Sequence, residues 1–139
     1  MNKLLLLAAA AAVSLLSPSA WAERPIEPHE SATHVVVGAV VAVYRRDSAA
    51  YKHYVVEIQI EQVEHGRDLS VGHTMYAACY QRRPGKYGLE ADSAGHLSVP
   101  DAGQRVRVFL SADRGRYEGV HPDWVEVLEP RVSPQRNAS

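Results

Sequence analysis

Apolar and polar residues alternate along most of this chain, in short runs separated by turn residues. His34–Tyr44 (HVVVGAVVAVY) is apolar on both alternating faces. Val35, Val37, Ala39, Val41 and Val43 fall on one face; Val36, Gly38, Val40, Ala42 and Tyr44 fall on the other. The β-branched content predicts a strand, and apolarity on both faces predicts cover on both sides over part of its length. Gly38 in mid-run predicts a bulge or sharp bend, letting one long strand serve two sheets. Tyr51–Val63 (YKHYVVEIQIEQV) then keeps a clean period of two. Tyr54, Val56, Ile58 and Ile60 point one way, while His53, Val55, Glu57, Gln59 and Glu61 face water, the mark of an antiparallel strand.

A third run, Val71–Gln81, alternates Thr74, Tyr76, Ala78 and Tyr80 with His73, Met75, Ala77 and Cys79. A Gly/Pro-punctuated insert follows over Arg82–Gly103, in which Leu89–Ala94 has room for one helical turn at most. Gln104–Leu110 is the fourth strand. Ser111–Gly115 is a tight turn, Arg116–Val120 a short strand, His121-Pro122-Asp123 another turn, and Trp124–Leu128 the last strand. Trp124 is expected to cap a barrel end, its indole N–H bonded to a partner. Three strands, a long segment, then two or three more strands is the chain order of an all-β fold: a small five- to six-stranded OB-like Greek-key barrel with a long loop between strands three and four. The Pro and Gly residues of the insert argue for that loop in place of the helix an OB-fold usually carries there.

The two ends of the sequence lie outside this pattern. Met1–Lys3 is a short positive start, Leu4–Leu16 an apolar stretch, and Ser17–Ala22 (SPSAWA) ends in a small-x-small cleavage pattern. Together they predict an export leader over 1–22, cut after Ala22. The apolar stretch is short of the roughly 20 residues that a membrane span needs, so a soluble periplasmic or secreted protein with no membrane span is expected. Residues 23–32 read as a flexible arm, 33–129 as the barrel domain and 130–139 as a disordered tail. Removing 22 of the 139 residues leaves 117, enough for one domain with its own core. The 15 basic and 16 acidic residues nearly cancel, which gives no global argument for a nucleic-acid partner. Cys79 is the single cysteine, so no intramolecular disulfide forms, and a monomer is expected.

The strand patterns "HVVVGAVVAV", "YVVEIQIEQVEHG" and "GHTMYAACYQ" resemble the secreted OB-like domains of the tissue-inhibitor-of-metalloproteinase and netrin-module type. With its P-x-x-G-x-x-V-R-V-F-L element at Pro100–Leu110, the chain looks still more like small exported bacterial proteins of unassigned role. The resemblance implies the fold alone. The mature chain has neither the N-terminal cysteine nor the disulfide framework with which those inhibitors bind a catalytic metal, so inhibition does not carry over.

Candidate chemistry is sparse. Tyr80, Arg82, Arg83, Lys86 and Tyr87 put aromatic rings beside cations at the start of the insert, on the face with which OB barrels bind their ligands. Arg45 and Arg46 are placed to join them, while Glu57, Glu61 and Glu64 on the neighbouring strand would repel a polyanion. A non-catalytic binding module is expected, its partner a protein, a glycan or another anionic envelope ligand, with nucleic acid disfavoured. The alternative is a soft-metal (copper) protein using His73, Met75 and Cys79, which share strand parity. Against it, free cysteine is commonly a small core hydrophobe, and these residues are spread along the strand. No cofactor or enzyme signature is found: Asp92, Ser93 and His96 sit together only in sequence, and His29, His53, His65 and His121 fall in arm, strand face or turns.

Overall fold

The computed structural model describes residues 24–83 and 95–129. Six strands carry the fold: β1 (His34–Asp47), β2 (Tyr51–His65), β3 (Thr74–Arg82), β4 (Arg105–Asp113), β5 (Arg116–Gly119) and β6 (Val125–Glu129). β1 pairs antiparallel with β2, and β2 with β3; β3 runs parallel to β5, β5 antiparallel to β4, and β4 returns to β1. Five strands thus close a small OB-like Greek-key barrel, with β6 an additional strand on β4. The described part of the connection between β3 and β4 contains no helix. The leader, the tail, Lys86, Tyr87 and Leu89–Ala94 lie outside the described residues.

β1 closes the barrel, and Gly38 permits it. Gly38 stands opposite Ile60 on β2 and Val106 on β4. A Cβ there would collide with the carbonyl oxygen of Gln59 and lie 2.8 Å from Cγ2 of Ile58. The β1–β2 register shifts three times, leaving Glu61 and Glu64 on β2 and Val41 on β1 without a cross-strand partner. Such bulges raise local twist and bend a strand, which is what a β1 shared by β2 and β4 requires.

The alternation read from the sequence is kept on the inner face. Val56, Ile58 and Ile60 of β2, Met75, Ala77 and Cys79 of β3, and Val106, Val108 and Leu110 of β4 are all buried. They pack in one cluster with Val36, Val40, Val120 and Trp124. Val37 points away from that cluster and is still only 2% exposed. Arg107, its register neighbour on β4, reaches over β1 to the bulged Glu64 (Nε to Oε1, 2.5 Å) and also pairs with Glu126 of β6 at 3.0 Å. Arg105 does the same with the bulged Glu61 at 2.7 Å. The aliphatic stems of these arginines shelter β1 from outside, which accounts for a strand apolar on both faces.

β5 and β6 lie along the same edge of β4 and amount to one strand interrupted opposite Phe109. Val120 N–H donates to the Phe109 carbonyl at 3.0 Å, and Phe109 N–H donates to the Trp124 carbonyl at 2.8 Å. The excursion between them buries Trp124 completely, and its indole N–H donates to the Ser98 carbonyl at 2.9 Å. Gly119 makes room: a Cβ there would sit 2.5 Å from the Trp124 ring.

Arg24–Thr33 lies along this excursion. Glu27 N–H donates to the His121 carbonyl, while His121 N–H donates to the Glu27 carboxylate at 2.8 Å. A single 3-10 turn at His29–Ser31 stacks His29 on Phe109 with centroids 3.7 Å apart, and Ala32 enters the core. The docked chain therefore begins by Arg24, ahead of Thr33, where the sequence pattern starts the fold.

Because the Gln59 carbonyl is backbone and cannot swing aside, Gly38→Ala should lower stability by about 1–3 kcal/mol. The urea unfolding midpoint reads the loss, and an unchanged midpoint would contradict the closure argument.

Candidate ligand-binding face

The outward side chains of β1, β2, β3 and β5 form a lattice fixed by strand register. Across successive strands the rows are Arg46–His53–Tyr80, then Tyr44–Val55–Ala78–Glu118, then Ala42–Glu57–Tyr76. Continuing the parallel β3–β5 register sets Arg116 beside Tyr76. Small residues occupy the middle and tyrosines the surround, so the face is hollow. Val55 and Ala78 form a floor, and Tyr44, Tyr76 and Tyr80 stand around it. One hollow of about 490 Å³ holds Tyr44, Arg46, His53, Tyr80, Arg116 and Glu118. A second of about 390 Å³, lined by Tyr76, shares Val55, Ala78 and Arg116 with the first. The two make one groove on a rigid sheet.

Charge is distributed unevenly around it. Arg24, Arg45, Arg105 and Arg107 each hold a carboxylate. Among the described residues, Arg46 and Arg116 hold none. Glu57 lies within the lattice, accepts the Tyr44 hydroxyl at 3.4 Å, and by hydrogen bonding pushes the Tyr76 phenol above its usual pKa. Tyr44 and Tyr76 are both 53% exposed.

Tyr80 lines the groove as the sequence predicts, and Arg46 joins it. Arg45 lines it too, with its guanidinium held in a two-pronged pair by Asp47. Arg82 is half-buried at the end of β3, and Arg83 is tied to the Ser48 carbonyl at 3.1 Å in the β1–β2 loop. Of the three glutamates expected to repel an anion, Glu61 and Glu64 are spent on Arg105 and Arg107, so Glu57 alone remains on the face. Tyr44, Val55, Tyr76 and Arg116 were not singled out from the sequence. Their only signal there is outward parity on strands that become neighbours in the barrel.

The three residues of the metal reading are separated by burial. His73 is exposed before β3 begins, whereas Met75 and Cys79 are inner-face core residues, each 3% exposed. Burial, reinforced by Glu118, pushes the Cys79 thiol up to about 12, so it is protonated at neutral pH. No group of three His, Cys, Asp or Glu side chains that could hold a metal ion occurs among the described residues.

At the barrel end beside the groove, Gly95–Pro100 covers the opening. His96 is buried there: its Nε2–H donates to the Gly119 carbonyl at 2.7 Å, and its Nδ1 accepts the Tyr80 N–H at 3.1 Å. His121, 6% exposed, packs edge-on against His96 and parallel to Tyr80. Neither of its ring nitrogens has a hydrogen-bond partner among the described residues. Arg24 completes the cluster, its guanidinium 5.7 Å over the Tyr80 ring and 2.5 Å from the Glu118 carboxylate. Burial, and then the Arg24 charge, hold both histidines below the ordinary histidine pKa, with His96 adding to the effect at His121.

Three comparisons with known proteins add nothing to this geometry: no family model, no curated protein and no solved structure matches the chain. No helix among the described residues is long and apolar enough to cross a membrane.

Two outcomes follow from the titrating groups. Native Cys79 should react with iodoacetamide at neutral pH far more slowly than in urea, since its thiolate fraction is lower by roughly a thousandfold. Equal rates would mean an accessible thiol. The histidines take up protons in the unfolded chain first, near pH 6.5, and in the folded chain only below that. Stability should therefore be full above about pH 6.5 and fall as the pH drops through the lowered values. Thermal unfolding followed from pH 8 to pH 5 measures this, and His96→Gln should flatten the profile.

Proposed function

We propose that this chain is a non-catalytic binding module, exported to the periplasm or beyond the cell after loss of its leader, and acting there as a monomer. The observation that carries the reading is the groove itself. It has a small-residue floor on a closed barrel, exposed tyrosines around it, and two guanidinium groups that no carboxylate of the described chain neutralises. A preformed hollow with a few placed polar groups is the usual form of a ligand site, and barrels of this architecture present ligands to the β2–β3 face.

Binding is favoured over catalysis by the commitments of the reactive groups nearby. Cys79 is buried and protonated beneath the groove. The Ser48 hydroxyl stands 3.3 Å from His53 Nε2, but it also accepts the Tyr51 N–H and so closes its own turn.

An NMR screen of the mature chain against monosaccharides, short peptides and nucleotides tests the reading. Shifts should gather at Val55, Tyr76 and Ala78, and Val55→Arg should remove them without lowering the unfolding temperature. Shifts scattered over the barrel, or indifferent to that substitution, would sink it.

A further inference from the structure

The groove's own chemistry narrows the class of ligand, on the footing that this face is the binding surface. We infer that it takes an acidic oligosaccharide, with carboxylates on Arg46 and Arg116 and sugar rings against Tyr44 and Tyr76.

Arg46 and Arg116 stand at opposite corners of the lattice, their Cα atoms three strand spacings and four residues of strand apart, about 20 Å over the sheet surface, and both side chains line the one hollow. A ligand that meets both arginines across the groove is extended, with its negative groups apart.

The face also resists a densely charged chain. Glu57 stands between Tyr44 and Tyr76, and Glu118 borders the groove with its charge answered by Arg24. A phosphate at every step of a nucleic-acid strand would meet the Glu57 carboxylate. That carboxylate accepts hydrogen bonds and donates none, so it suits a ligand rich in hydroxyl donors. Sugars supply them; a phosphodiester does not. The exposed faces of Tyr44 and Tyr76, with Val55 between them at 37% exposure, match the apolar C–H faces of pyranose rings.

A peptide fits less well. Extended peptides dock on sheets chiefly by adding a strand to a free edge. Over the floor of this groove, at Val55 and Ala78, β2 and β3 are paired on both sides and offer only side chains; the edge of β1 that β4 does not reach lies at the margin.

The test uses the mature chain and three probes: a tetramer in which uronic acids alternate with neutral sugars, its carboxyl-reduced neutral tetramer of the same length, and an oligothymidylate. Calorimetric titration should show the uronate tetramer binding tightest, more weakly as salt rises. Arg46→Gln and Arg116→Gln should each weaken it by about tenfold or more. Tyr76→Ala should weaken the uronate and the neutral tetramer alike, because stacking does not sense charge. Circular dichroism confirms that the variants fold. Equal affinity for the two tetramers, or indifference to both arginine substitutions, would overturn the acidic class. Tighter binding of the oligothymidylate would overturn it in favour of a nucleic-acid strand. In those cases the groove remains the binding face. If all three probes leave Val55, Tyr76 and Ala78 unshifted while fragments of another class shift them, the saccharide inference falls and the binding module stands. If nothing shifts them, both fall.

Discussion

The barrel closes because the chain carries no side chain at Gly38. There β1 approaches the Gln59 backbone and the Ile58 side chain so closely that one methyl group would part the strands. That approach lets β1 hold β2 along its length and β4 at its start. Closure joins the inner faces of five strands into one core, and over the floor of the groove, at Val55 and Ala78, the strands are paired on both sides, so there the sheet presents side chains.

The same bend organises the outer surface. The bulges it demands leave Glu61 and Glu64 unpaired in the ladder, free to take Arg105 and Arg107 from beyond β1. Arg105 and Arg107 on the β4 side are thereby paired with carboxylates. On the β1-β2-β3-β5 side the outward positions bring small residues together at the centre, and Arg46 and Arg116 meet no carboxylate among the described residues.

The groove and the barrel end meet at Tyr80 and Glu118. The Tyr80 backbone binds His96 and its ring packs against His121, while its side chain lines the groove. Arg24, on the docked arm, spans Tyr80 and Glu118. The neutral state of the buried histidines and the position of the arm are therefore built into one end of the groove.

Local pattern alone determined much of this protein. Period-two alternation in Tyr51–Val63 and Gln104–Leu110, double-faced apolarity in His34–Tyr44 and the glycine within it gave the strands, the inner faces and the bend, because burial on one face of a pleat forces that period. Trp124 as a bonded cap was legible for the same reason: a large apolar ring with one donor has few places to go. What only the tertiary structure decided is which outward residues share a surface. Tyr44, Val55, Tyr76 and Arg116 are far apart in the chain, and no periodicity links them until register sets their strands side by side. His96 and His121 are loop residues, as the sequence reads them, but their burial comes from an interrupted strand and a crossing segment, neither of which has a sequence period. Inner faces follow from each strand alone; an outer site is a property of pairing.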